Sequence, residues 1–284
     1  MAFDDAGACM TRRIRSLRQL DRGLAPLLAL ALLGSAAACG SGPKRPPTGT
    51  PDVDRFLYER GTEALNDRKW LTSREYFRHL VDSYPQSQYR ADAKLGIADT
   101  YIGEGTTESY VLAVNEFREF LSFYPTHARA DYAQYKLGMT HFYQMRAPER
   151  DQTETKDAIR ELAVFMDRFG KTSQLSPEAG ARLREARDRL STSEFRVGFQ
   201  YHRQKWYPGA IARFEGLLKA DPEYTNRDAV YFYLAEAFEK IDRPAQALPY
   251  YERLVAEFEQ SEHLAEARKR AEALKTTKTG SSPL

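Results

Sequence analysis

Ser73-Arg74-Glu75-Tyr76-Phe77-Arg78-His79-Leu80-Val81-Asp82-Ser83-Tyr84-Pro85 decides the architecture. It sets a small residue, an aromatic four positions on and a proline twelve positions on, and the same offsets recur as Ala113/Phe117/Pro125 and Ala210/Phe214/Pro222. Two further segments keep the register with substitutions, Ala158/Leu162/Gly170 and Ala247/Tyr251/Glu259. Residues four apart share a helix face, so the small residue and the aromatic form one packing stripe. Proline or glycine then ends the helix. Upstream of each segment another small residue stands in an apolar helical pattern: Gly61, Gly96, Gly138, Gly198 and Ala235. The gap between the two small residues is 12 at 61/73, 198/210 and 235/247, but 17 at 96/113 and 20 at 138/158. Gly105-Thr106-Thr107 and Ala147-Pro148-Glu149-Arg150-Asp151 are the expected insertions.

Small, small, aromatic and proline in this order is the pattern of the tetratricopeptide repeat, a helix–turn–helix unit. The small residues let two helices approach closely, and the aromatic fills the space toward the next repeat. One such unit cannot bury its own apolar face, so stability comes from stacking several. A generic helical bundle has no reason to hold one offset five times. The expected fold is therefore all-α, a right-handed solenoid of five tetratricopeptide-like repeats over residues 53–275. Its N-terminal half covers about 53–170 and its C-terminal half about 171–275. Between them, Glu178, Arg182, Glu185 and Arg189 interleave with Ala181, Ala186 and Leu190, which predicts one long helix from about Pro177 through Tyr201. Proline suits its first turn. Residues 276–284 read as a disordered tail.

The N-terminus reads as an export signal over residues 1–38. Arg12, Arg13, Arg15 and Arg18 precede an apolar run from Leu24 to Leu33, and Gly34 to Ala38 are small. A run of about ten residues is half of what a bilayer span needs, so a cleaved secretory segment fits better than a membrane helix. Met10 is the expected true start, and Arg12-Arg13 lacks the rest of a twin-arginine pattern. Small residues before Cys39 resemble a bacterial lipobox, with Ala36 where leucine is usual, so Cys39 is the expected lipid attachment site. The alternative is plain cleavage after Ala38. Residues 39–52 form a Gly/Pro/Ser linker able to reach roughly 40 Å when extended. Gly40 follows the cysteine rather than an aspartate, which favours the outer membrane.

Composition closes off other classes. The chain has 42 Lys+Arg and 40 Asp+Glu over 284 residues, and without the signal segment the balance is 37 to 37. A neutral solenoid lacks the basic surplus that nucleic acid requires. Two cysteines, at 9 and 39, support neither a disulfide framework nor a zinc cluster. His79, His127, His141, His202 and His263 fall in different repeats without metal-ligand spacing, so neither metal nor cofactor is expected beyond the covalent lipid. No phosphate loop, HExxH or Gly-x-Ser-x-Gly occurs, and the expectation is a protein that is not an enzyme.

Several local stretches are more specific than the repeat. They are Phe77 to Pro85 with Ser87, Phe117 to Pro125 with His127, Asp131-Tyr132-Ala133-Gln134-Tyr135-Lys136-Leu137-Gly138, Arg150-Asp151-Gln152, Arg187-Asp188-Arg189-Leu190 before Glu194-Phe195, and Tyr207 to Phe214. With lipobox, linker and five repeats in order, they resemble the BamD family of lipoproteins from the outer-membrane β-barrel assembly machinery. Gly170 and Glu259 depart from the family's prolines. The resemblance implies a non-catalytic scaffold that grips the barrel protein BamA with its C-terminal repeats, alongside other Bam lipoproteins. It also implies capture of the C-terminal peptides of unfolded outer-membrane proteins on the N-terminal repeats. Arg213 matches a family arginine in the partner-binding half, and Tyr207 stands in the same stretch; an exposed Arg213 paired with Glu215 is the alternative. Another envelope repeat lipoprotein, serving pilus assembly or cell-wall coordination, is the rival function.

Repeat geometry selects groove positions separately, since the first helices line the concave face. These are Arg55, Tyr58, Thr62 and Leu65, then Arg90, Ala93, Ile97 and Thr100, then Tyr132, Tyr135, Met139 and Phe142. Aromatic and thioether surface flanked by arginine suits an extended peptide with apolar side chains and a terminal carboxylate. Arg55, Tyr58, Arg90, Tyr132 and Tyr135 are the candidate peptide contacts, while Met139 and Phe142 could equally be core.

Overall fold

A computed structural model describes residues 52–279, and every regular element in that span is helical. Cys39, the export segment and the linker before Asp52 lie outside the described residues, as do residues 280–284. Repeat one pairs α1 (Val53–Asn66) with α2 (Trp70–Ser83), repeat two α3 (Arg90–Glu104) with α4 (Thr107–Phe123), and repeat three α5 (Ala130–Phe142) with α6 (Thr153–Phe169). Repeat four pairs α7 (Ser176–Arg203) with α8 (Tyr207–Ala220), repeat five α9 (Arg227–Lys240) with α10 (Pro244–Glu257), and α11 (Leu264–Thr279) follows. Helix α7 is the long helix expected from Pro177 onward, with that proline in its first turn. Helix α11 packs on α10 and covers the end of the stack with Ala267 and Ala271. It runs past residue 275 into what the sequence reads as tail.

The register holds at the level of atoms. Ser73, Ala113, Ala158, Ala210 and Ala247 are all fully buried, as are Phe77, Leu162, Phe214 and Tyr251 four residues on. Phe77 lies between Gly61 of its own repeat and Gly96 of the next, and a methyl on Gly61 would stand 2.6 Å from the ring. Gly198 meets Phe214 in the same way, also at 2.6 Å, and Gly138 meets Leu162. The small residues are therefore there to admit a side chain, and truncating Phe77 would cost about 3–5 kcal/mol. Ser73 adds a hydrogen bond, its hydroxyl donating to the Gly61 carbonyl at 2.8 Å.

Turn chemistry explains the constant gap of repeats one, four and five. Each first helix ends with a non-glycine residue at positive φ: Arg68 (58°), Lys205 (62°) and Asp242 (59°). The amides of Lys69, Trp206 and Arg243 return to the carbonyls of Ala64, Tyr201 and Phe238 at 2.8–2.9 Å, which closes a Schellman turn. In repeat two the insertion ends α3 at Gly105 (φ 69°), and Thr106 and Ser109 then form a reciprocal cap on α4.

Between repeats a polar latch recurs. Ser87, Ser173 and Ser261 each accept a backbone amide two residues on at 3.1 Å and donate to an aspartate in the preceding first helix. The acceptors are Asp54, Asp131 and Asp228, at 2.7, 2.6 and 2.6 Å. At the fourth junction Thr225 gives both its amide and its hydroxyl to Asp188, and at the second Arg129 reaches Asp92 at 3.1 Å. The serine latches hold the amide of the residue just before the next helix, and every latch ties one repeat to the next.

Candidate functional site

First helices touch one another at α1/α3, α5/α7 and α7/α9, whereas no pair of second helices makes a comparable contact among the described residues. The stack therefore curves with the first helices inside. Along that inner face of repeats one to three runs a continuous band of rings and charges. Tyr58 stacks on Tyr89 at 5.0 Å and 15°. The Arg129 guanidinium lies 4.5 Å over the Tyr132 ring, between it and Asp92. Lys136 also approaches Tyr132, 5.5 Å from the ring centre, and sits 3.7 Å from Asp99. The Tyr132 hydroxyl donates to the Asp99 carboxylate at 2.8–2.9 Å. Burial pushes the Asp99 carboxyl up, opposed by Lys136 and by the Tyr132 hydrogen bond. Burial and the neighbouring Asp99 raise the Tyr132 phenol as well, so it remains a donor throughout the physiological range.

The structure sorts the expected groove residues. Tyr58 and Tyr132 are half-buried on the band. Arg55 is exposed and held at 2.8 Å by Glu59 one turn on. Arg90 gives Nη1 to the Tyr124 hydroxyl at 2.8 Å and Nε to the Val81 carbonyl at 3.3 Å, which fastens the turn between repeats. Tyr135, expected on the groove, is core instead: it is 6% exposed and packs edge-on to Phe165 at 6.0 Å. The long α7 is the cause, because Ala179 and Leu183 from its first turns close over that position. Met139 is buried in the same cluster, and Ala93, Ile97 and Thr100 are buried in α3. Tyr89, Arg129 and Lys136 were not among the expected residues. Arg129 and Lys136 stand three residues before and four after Tyr132, which was their signal; Tyr89 has none near Tyr58 in the sequence.

A cleft of about 770 Å³ lies between α6, α7 and α8. Ile159, Leu190 and Leu217 give it apolar lining, with Arg187, Arg213 and Glu194 around them. Arg213 is half-exposed and pairs with Glu194 at 3.4 Å, across to α7, not with its neighbour Glu215. Tyr207 does not line this cleft; its ring meets His202 edge-on at 5.5 Å. A smaller aromatic cleft of about 360 Å³ lies against α7, α9 and the start of α11, lined by Phe195, Phe199, Tyr233 and His263. No described helix is long and apolar enough to cross a membrane.

Residues 52–248 match the model of the YfiO family, described as outer membrane lipoprotein. The chain is 26% identical over 215 residues to a Caulobacter vibrioides protein, covering 75% of this chain and 68% of that one. It is 27% identical over 210 residues to a Vibrio cholerae protein, covering 70% and 83%, and 25% identical over 236 residues to one from Haemophilus influenzae, covering 77% and 86%. All three relatives are named outer membrane protein assembly factor BamD. Among solved structures, the chain is similar to the TPR2AB domain of yeast Sti1 at 13% identity and a TM-score of 0.44, covering 80% of this chain and 85% of that one. With the family model spanning well over half of the sequence, from the first described helix into the fifth repeat, this chain belongs to the YfiO family of outer membrane lipoproteins.

Proposed function

We propose that this chain is a non-catalytic scaffold of outer-membrane protein assembly, anchored by lipid on Cys39, that presents two working surfaces. The inner face of repeats one to three receives an extended segment of an unfolded substrate. The α7–α8 region holds a BamA-like barrel protein, with Arg213 at the contact. The names of the relatives support the assembly role. The observation that carries the peptide surface is the band from Tyr58 to Lys136. Rings there offer apolar area at low entropic cost, and Arg129 and Lys136 offer charge to a carboxylate. Tyr132 is itself positioned by Asp99, so its ring is pre-organised for a ligand.

Co-purification of the detergent-solubilised protein from envelope extract tests the assembly role. Recovery of a BamA-like barrel protein is expected, and recovery of a pilus secretin without it would contradict the reading. Mass spectrometry of the same material is expected to find Cys39 acylated, and Cys39→Ser should leave the protein without lipid; an unlipidated wild type would contradict the anchor.

A further inference from the structure

Repeat three has the longest connection between its two helices, residues 143–152, and side chains fasten its ends. His141 in the last turn of α5 points Nδ1 at Glu154 Oε2 in the first turn of α6, 2.7 Å away. Asp157, one turn further along α6, completes a group whose ligand atoms all lie within 4.8 Å of one another. The imidazole is 6% exposed, and its Nε2 is buried with no hydrogen-bond partner. From this geometry we propose that His141, Glu154 and Asp157 form a binding site for a divalent transition metal ion of the zinc class, with solvent in the remaining position.

The donor set fits that ion. Zinc accepts imidazole nitrogen and carboxylate oxygen together, whereas magnesium and calcium take oxygen alone. Two carboxylates balance the charge of the dication, and a neutral imidazole adds none. Bonds of about 2.1 Å in a tetrahedron place donor atoms about 3.4 Å apart. The His141–Glu154 pair therefore opens slightly and Asp157 closes in, both by side-chain rotation. Arg160, which holds Asp157 at 2.5 Å, also reaches Glu161 at 3.2 Å and keeps a partner when Asp157 turns. Bound there, the ion ties the end of α5 to the start of α6, where repeat three lacks the tight turn of repeats one, four and five. Twelve residues separate His141 from Glu154, so the linear spacing hides a cluster that the inserted connection brings together.

The test is calorimetric titration of chelator-stripped, full-length, detergent-solubilised protein with zinc chloride alone, beside His141→Gln and Asp157→Ala. Wild type is expected to bind one equivalent that both variants weaken at least about tenfold, with no heat from magnesium chloride. Zinc is expected to raise the thermal midpoint of wild type and of neither variant. Asp157 is partly exposed on the helix surface, so Asp157→Ala retains the fold even where His141→Gln does not. Zinc binding that survives both substitutions unchanged would come from elsewhere and would overturn the proposal. Absence of saturable binding in wild type would overturn it too, leaving the three side chains as an ion-pair cluster only.

Discussion

Arg68, Lys205 and Asp242 hold the same left-handed conformation at the same place in three repeats, seven residues after Gly61, Gly198 and Ala235. A side chain costs about 1–2 kcal/mol in that region, and glycine removes the cost while adding chain entropy to the unfolded state. Lys205→Gly is therefore expected to raise stability by about 0.5–1 kcal/mol, read as a higher urea midpoint at unchanged slope. A lower midpoint would mean that contacts of the lysine stem outweigh the backbone strain. These positions carry no glycine signal in the sequence, which is why the turns were legible as a constant gap and not as a conformation. Tyr135 shows the opposite limit. Its place three residues before Gly138 marks it for the inner face, and only the length of α7, which no local pattern at Tyr135 reveals, buries it.

At the scale of elements the helix pairs rest on close approach. Ala113→Leu or Ala210→Leu would overfill a fully buried crossing and is expected to cost about 1–3 kcal/mol in thermal or urea unfolding. Unchanged unfolding of both would contradict the register. The end of the stack depends on charge as well as packing. Arg270 of α11 reaches Glu236 and Glu239 of α9 at 3.2 Å and the Tyr251 hydroxyl of α10 at 3.2 Å. The imidazole of His202, 3.1 Å away, and then Arg270 hold the Glu236 carboxyl at about 2, below its ordinary 4.5. A lowered acid contributes stability that is present above the unfolded value and is lost as the pH falls toward the folded one. The loss is expected between pH 4.5 and 2 and amounts to roughly 2 kcal/mol once partial solvent screening is allowed for. Glu236→Gln should flatten that limb of the acid-unfolding curve; an unaltered limb would place the acid sensitivity elsewhere. Helix α11 itself was missed because it carries no paired second helix. Its one sequence mark is Ser261, the last of the serine latches.

For the whole molecule the repeat count and the long helix of repeat four were legible in advance. Each follows from an offset along the chain, and helix periodicity turns offsets into contacts. The proposed surfaces were legible only in part. Tyr58 and Tyr132 stand half-buried on the inner face where repeat geometry put them, but the side chains around them come from neighbouring repeats. Tyr89 and Arg129 join the band because Ser87 and His127 fix the turns that carry them. The cleft beside Arg213 is lined from α6, α7 and α8 together. Those are consequences of stacking, which no single repeat records.

The central claim is that the two surfaces work separately, and one set of calorimetric titrations tests it most directly. Wild type, Tyr58→Ala/Tyr132→Ala and Arg213→Leu are each titrated with an extended peptide ending in an aromatic residue and a free carboxylate, and with the periplasmic domains of the barrel partner. Losing two rings from the band is expected to weaken the peptide by about tenfold or more and leave the partner unchanged. Losing Arg213 is expected to weaken the partner and leave the peptide unchanged, as for an anchoring interface arginine. Equal losses of both ligands in both variants, with helicity and thermal midpoint retained, would contradict the account by showing one shared site where it requires two.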